Sequence, residues 1–293
     1  MEFNEYQNLA LKSEQKQGDE GLIISLLGLA GEAGELLSVY KKYLRDGESH
    51  QLYHRDVKEE LGDLLWYLAS TAKNFNLSLE DIAKYNLKKV EARWLTGDSL
   101  LYHSDGKSCY DELSPEHEQL PRKFFVTIYD TVENNVHVAR SFIDDQQVGD
   151  DLTDNSYLDD GYRFHDVFHL SYVAILGWSP VFRKNTNNKR RSNPAINEVE
   201  DGGRAAVIEE GISALVFAYA KEHNWLENIT SIDDSLLKTV MGMASHLEVK
   251  NKVAAEWEIT ILKGFEVWRN VMKNKGGKVL IDMQEKNISY ISV

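Results

Sequence analysis

The chain has 293 residues, the length of roughly two domains at about 150 residues each. Hydrophobic residues make up 42% and charged ones 27%, which excludes a disordered chain, and the single cysteine, Cys109, excludes an internal disulfide framework or a cysteine-rich zinc module. A formal net charge of −14 argues against a nucleic-acid coat or a basic membrane binder, yet leaves an anionic substrate open, because bound cations can reverse the sign of a local site.

The opening Met1-Glu2-Phe3-Asn4-Glu5 is acidic where a signal peptide is basic. A helix is expected over about Asn4 to Lys16. The apolar run from Gly21 to Gly31 is shorter than the ~20 residues that cross a bilayer, so a cytoplasmic protein with no membrane and no nucleic-acid partner is expected. Leu22, Ile23, Leu26, Leu27, Leu29 and Ala30, continuing through Leu36, Leu37 and Tyr40, have helical spacing, and Asp46-Gly47 ends that helix. A second helix starts near Asp56 as its cap and carries Val57, Leu61, Leu64, Leu65 and Leu68. A third follows Ser78, with Glu80 and Asp81 in its first turn, and runs to Trp94. Four such helices with short connections predict an all-α bundle over residues 1–97.

Residues 98–122, with Gly106, Pro115 and Pro121 among polar residues, read as a linker. The character then changes. Phe124 to Tyr129 and Val136 to Ala139 are rich in strand formers around Glu133-Asn134-Asn135, and Lys278 to Met283 and Asn287 to Val293 form a second such pair. Helical stretches lie between, over about Gly161 to Leu176, Gly203 to His223, Leu236 to Leu247 and Ala254 to Met272. The expectation for 123–293 is an α+β domain with two β-hairpins and several helices.

Glu32 and Glu35, and then Glu60 and Asp63, are each spaced i, i+3, so each pair shares a helix face. Both pairs interrupt apolar runs, and acids are rarely buried unless something neutralises them. If the two helices face each other, four carboxylates converge, and oxygen-only ligands select a hard cation such as Mg²⁺ or Mn²⁺. The alternative is two solvated helix edges. Gly28, Gly31 and Gly34, with Ala30 and Ala33, would let another backbone approach closely. Asn86, Lys89 and Arg93 recur on one helix face, and Lys41 and Lys42 follow the first acid pair; they suit a polyphosphate or form a solvated face. Glu59 could orient a water or lie on the surface. Trp66 and Tyr67 could stack on a base or pack in the core.

The run from Gly28 to Leu36, then Glu59 to Tyr67, then Asn86 to Lys89 through Arg93-Trp94, resembles the MazG-like all-α nucleoside triphosphate pyrophosphohydrolases, whose metal motif is E-x-x-E, a loop, then E-x-x-D. Trp94 stands where that family often has Tyr. The resemblance implies a homodimer or higher homo-oligomer and Mg²⁺ held by Glu32, Glu35, Glu60 and Asp63. It also implies hydrolysis of an NTP or dNTP to its monophosphate and pyrophosphate, in nucleotide-pool housecleaning. Asn86, Lys89 and Arg93 match the family's phosphate-side residues. A narrower relative, similar to a dimeric dUTPase or a phosphoribosyl-ATP pyrophosphohydrolase, shares the acids. A nucleotide-sensing regulator with little turnover is the alternative of another class.

The C-terminal half resembles the domain that follows some MazG-like domains. Within it, His165, Asp166 and His169, with Glu209 and Glu210, could bind a transition metal, form a polar network or sense a nucleotide. Lys189-Arg190-Arg191 reads as a solvated loop or a contact for phosphate or an acidic partner.

Overall fold

The structure, a computed structural model, describes residues 1–16, 18–94 and 109–292, with the backbone alone for Lys88 and for residues 91–94. It divides into two compact units, Met1–Glu91 and Ala92–Val293.

The first unit is all-α: α1 (Phe3–Ala10), α2 (Gly18–Asp46), α3 (Tyr53–Asn74) and α4 (Leu79–Trp94). Helix α2 stops at Gly47, whose φ of +57° suits a residue without a β-carbon. Helix α3 starts three residues before the expected cap: Leu52 takes that position, and Asp56 pairs with His50 Nε2 at 3.2 Å. Ala69, Ala72 and Leu79 form a small core with Tyr6, Ala10 and Ile82 against it. The buried Gln7 amide joins α1 to this core, donating to Ala69 O and Leu77 O and accepting from Leu79 N–H.

One expectation is corrected here. The run from Gly21 to Gly31 is too short to cross a bilayer, but the helix over Gly18–Ser49 is long and apolar enough by length and composition, because it continues past Gly31 through Gly34 and both glutamates. Ile23, Leu27, Leu37 and Leu44 are exposed along α2, as are Leu61 on α3 and Leu87 on α4.

The second unit contains β1 (Lys123–Glu133), β2 (Val136–Ile143), β3 (Gln146–Leu152), β4 (Gly276–Asp282) and β5 (Asn287–Ile291). The two expected hairpins are one antiparallel sheet, ordered β3-β2-β1-β4-β5, because β1 pairs with β4 from Lys123 opposite Asp282 to Tyr129 opposite Gly276. The term all-α therefore applies to the first unit only. Asn134 and Asn135, at φ +51° and +64°, form the tight turn between β1 and β2. Strand β3 is an edge strand of sequence Gln-Gln-Val-Gly-Asp-Asp-Leu, too polar to show as a strand by hydrophobic pattern.

Phe124, Val126 and Ile128 alternate into the core along β1, while Phe125 and Tyr129 remain exposed. The helices are α5 (Asp166–Ser171), which runs on through a π-turn over Tyr172–Leu176, α6 (Pro180–Asn185), α7 (Pro194–Val199), α8 (Gly203–Glu222), α9 (Asp234–Met243) and α10 (Ala254–Asn274). Trp178, Trp257, Trp268 and Phe265 are fully buried among them, and Trp268 Nε1 donates to Gly161 O at 3.0 Å.

The linker and the solvated basic loop are also corrected. From Cys109 onward the segment belongs to the second unit: Cys109, Asp111, Glu118 and Leu120 are buried, and Asp111 pairs with Arg122 and Arg183 at 2.7 Å each. Residues 98–108 lie outside the described residues. Arg190 is buried and pairs with both Asp201 and Glu248 at 2.7 Å. Its charge is compensated by two carboxylates, which is the condition for placing a guanidinium inside a protein.

Candidate functional site

On α2 and α3 the helical repeat sets Glu32 a turn from Glu35 and Glu60 a turn from Asp63. Ligand atoms of Glu32, Glu60 and Asp63 all lie within 4.8 Å of one another. Burial, then the charge of Glu32 and its hydrogen bond, then the charges of Glu35 and Asp63, hold the Glu60 carboxyl above its ordinary pKa. Glu35 thus acts on the trio through its field. The expected burial is only partial: Glu32 and Glu60 are half-buried, Asp63 and Glu35 exposed. Carboxylates crowded closely enough to raise the pKa of one of them mark a place where a divalent cation would relieve the same repulsion, so the donor set fits a hard ion.

Glu59, Lys42, Asn86 and Lys89 are exposed and stand outside this trio, and the side chain of Arg93 lies outside the described residues. Trp66 is half-buried, and its Nε1–H donates to Ala10 O at 3.1 Å and Ser13 Oγ at 2.9 Å. Trp66 and Tyr67 also line a cavity of about 250 Å³ with Ser25 and Ser70, whose hydroxyls are 2.7 Å apart. Of Gly28, Gly31 and Gly34, Gly28 alone is close-packed, since an added β-carbon would sit 2.2 Å from the Tyr67 ring. A β-carbon at Gly31 or Gly34 would meet nothing within 4 Å, so no backbone of the described chain uses the close approach expected there.

In the second unit α5 carries His165, as its cap residue, with Asp166 and His169, and α8 carries Glu209 and Glu210. Ligand atoms of His165, Asp166 and His169 lie within 4.8 Å of one another. His169 Nδ1 is 2.7 Å from Glu209 Oε1, and His165 Nδ1 is 2.9 Å from Tyr162 O. Glu209 is completely buried and also accepts from Ser179 Oγ and Val181 N–H. Glu210 Oε2 lies 3.5 Å from His169 Nε2 and 3.8 Å from His165 Nε2.

Burial opposes a charge on His169, but Glu209 and Glu210 overcome it and its pKa is pushed up to about 10. Burial and then the charge of His169 lower that of His165. His165, Asp166 and Glu210 border a cavity of about 550 Å³ that also meets Lys184, Lys189 and Gly203. The roles of Ser179 and Ser141 were missed from sequence. Ser179 accepts from Phe182 N–H to cap α6, and the Ser-Pro pair at 179–180 is a helix-start signal that could have located it. Ser141, which donates to Asp166 at 3.0 Å, comes from β2 with no local signal at all.

Residues 23–95 match the family described as MazG nucleotide pyrophosphohydrolase domain, and residues 105–293 match the MazG C-terminal domain. The chain is also similar to the Gene 37 protein of Mycobacterium phage L5, 41% identical over 76 residues, which is 25% of this chain and 67% of that protein. No solved structure matches it. The helical unit with its gathered acids and the sheet-containing unit that follows it in sequence are thus the two parts of one protein, and this chain belongs to the MazG family, as a nucleotide pyrophosphohydrolase with a MazG C-terminal domain.

Proposed function

We propose that the enzyme hydrolyses nucleoside triphosphates, NTP or dNTP, to the monophosphate and pyrophosphate with Mg²⁺. The observation that carries this reading is the meeting of Glu32, Glu60 and Asp63 from two helices within 4.8 Å, with Glu35 adding its charge. These four residues would hold the ion. Once bound, the ion would supply Lewis-acid stabilisation of phosphoryl oxygens and lower the pKa of a water.

The chain's own contribution is positional. Glu59, exposed beside Glu60, orients the attacking water towards the α-phosphorus. The bond between the α-phosphorus and its bridging oxygen breaks, and the departing pyrophosphate keeps that oxygen. Lys42, Lys89 and Arg93 offset its charge, and Asn86 offers it a hydrogen-bond donor. Trp66, pinned through Nε1 to the end of α1 and the turn after it, presents a fixed aromatic wall to the base in the 250 Å³ cavity.

The exposed leucines and isoleucines of α2 and the open faces at Gly31 and Gly34 favour a homo-oligomer, in which a second copy covers them. That cover suits a soluble protein of the cytoplasm. The test is a product analysis on the full chain with Mg²⁺ across common and damaged NTPs and dNTPs. Monophosphate and pyrophosphate should appear in equal amounts. Glu60→Gln should reduce kcat/KM by on the order of 100-fold or more. Unchanged turnover in that variant, or release of inorganic phosphate in place of pyrophosphate, would overturn the reading.

A further inference from the structure

We propose that His165, Asp166, His169 and Glu210 form a binding site for a divalent transition-metal ion, separate in its residues from the acid cluster of α2 and α3. The first argument is the direction of the rings. In each histidine Nδ1 faces an acceptor, Tyr162 O or Glu209 Oε1, so Nδ1 carries the proton and donates. That leaves the two Nε2 atoms as the ligand positions, both on the side of Glu210, and an ion bound there would displace the second proton that the neighbouring glutamates favour on the His169 ring. A carboxylate or carbonyl behind the ring nitrogen that does not bind metal is the usual way a protein orients a metal-binding histidine.

The second argument is an unmet need. His169 is 2% exposed, and its Nε2 makes no hydrogen bond. Leaving a buried polar atom without a partner costs about 1–3 kcal/mol. The Nδ1 side of the ring is fully met by Glu209, while on the other side Nε2 faces Glu210 Oε2 at 3.5 Å without hydrogen-bond geometry.

The third argument is spacing. Ligands bound at about 2.1 Å in a tetrahedron stand about 3.4 Å apart. Glu210 Oε2 lies 3.5 Å and 3.8 Å from the two Nε2 atoms, and Asp166, held by Ser141 Oγ, has a ligand atom within 4.8 Å of one from each of the two histidines. The donors need only close slightly on an ion.

The supporting groups are complete as well: Glu209 is fixed by Ser179 Oγ and Val181 N–H. The site has an approach, because His165, Asp166 and Glu210 border the 550 Å³ cavity and the Glu210 side chain is 44% exposed. Two imidazoles with two carboxylates favour an ion such as Zn²⁺, Fe²⁺, Mn²⁺ or Co²⁺ over the all-oxygen preference of Mg²⁺.

The test uses the full chain, stripped with a chelator and titrated with Co²⁺, whose visible absorption reports nitrogen ligation. The wild type and Glu60→Gln should both bind one equivalent with a visible band and a raised Tm. His165→Ala and Glu210→Gln, which leave the buried His169–Glu209 pair intact, should weaken that binding at least 10-fold and lose the Tm gain. A fold check by circular dichroism accompanies each variant. No visible band in the wild type, or a band unchanged in both His165→Ala and Glu210→Gln, overturns the proposal. So does loss of the band in Glu60→Gln with retention in the other two.

Discussion

Two helices in this protein begin their chemistry with the same dipeptide, Glu59-Glu60 on α3 and Glu209-Glu210 on α8, and the fold treats them oppositely. Glu209 is sealed from solvent and meets three donors, from His169, Ser179 and Val181. Glu60 is half-exposed and meets other carboxylates, and burial together with their charges raises its pKa above the ordinary value. The second unit therefore neutralises its buried carboxylate with its own groups, whereas the acid cluster of the first unit leaves its repulsion for something from solution to relieve. Sequence similarity at the level of a dipeptide says nothing of this difference, because the deciding donors come from elsewhere in the chain.

Breaking each member of the pair should expose the contrast most strongly. Glu209→Ala leaves three buried donors unsatisfied, so it should destabilise the second unit by about 3–5 kcal/mol, measured by urea unfolding followed through tryptophan fluorescence. Glu60→Gln removes a repulsive charge and loses no donor, so it should unfold at the same urea concentration as the wild type or higher. Equal losses in the two variants would remove the distinction between a satisfied and an unsatisfied carboxylate.

Acid sharpens the comparison next. Burial works against the Asp111 charge, but Arg122, the Leu120 N–H and Arg183 overcome it and hold its pKa below the ordinary 3.8. Its ionised form is thus favoured by folding. The stability it contributes is present above pH 3.8 and is lost as the pH falls below that value through the folded one. Glu60, raised above its ordinary 4.5, has the opposite sign: in a chelator its charge weakens the fold as the pH rises through and above 4.5. An unfolding series at falling pH should show the second unit losing stability below pH 3.8, and Asp111→Asn should flatten that slope. A slope that Asp111→Asn leaves unchanged would place the acid sensitivity elsewhere.

The first unit was the more legible in sequence, and the reason is locality. Its longer helices are amphipathic over many turns, and the acid pairs lie at i, i+3 on consecutive helices, so spacing puts each pair on one face and the packing of α2 against α3 does the rest. In the second unit the strand formers of β1, β2, β4 and β5 were visible, but the pairing of β1 with β4 joins residues some 150 positions apart, which no local pattern carries. Arg190 and Asp111 read as loop residues for the same reason. Each is polar and flanked by Pro or Asn in the neighbouring sequence, and only the long-range partners Asp201, Glu248 and Arg183 make burial tolerable. The cluster at His165 and His169 was visible through its i, i+4 spacing, while Ser141 and Tyr162 O, which orient it, were not.

Smaller effects distinguish the glycines of α2. Gly28→Ala forces a β-carbon into the Tyr67 ring and should cost about 1–3 kcal/mol. Gly31→Ala meets open space and gains about 1 kcal/mol of helix propensity. If a second copy covers that face, Gly31→Ala should shift the protein from dimer towards monomer in sedimentation velocity even as each helix becomes more stable. No change in association would mean that the open face at Gly31 lies outside the contact between copies.

The mildest change separates two uses of one ring. Trp66→Phe keeps an aromatic wall beside Tyr67 but removes the N–H that donates to Ala10 O and Ser13 Oγ. Loss of that one donor should cost about 1 kcal/mol of stability. If the indole only ties α3 to the end of α1 and the turn after it, kcat and KM stay at wild-type values once the protein is folded. If the ring also forms the wall against which a base stacks in the 250 Å³ cavity, the tilt allowed by the lost tether raises KM several-fold and leaves kcat unchanged. Only the second outcome gives Trp66 a part in substrate binding, since a tether acts on every folded molecule alike and has no means of distinguishing one nucleotide from another.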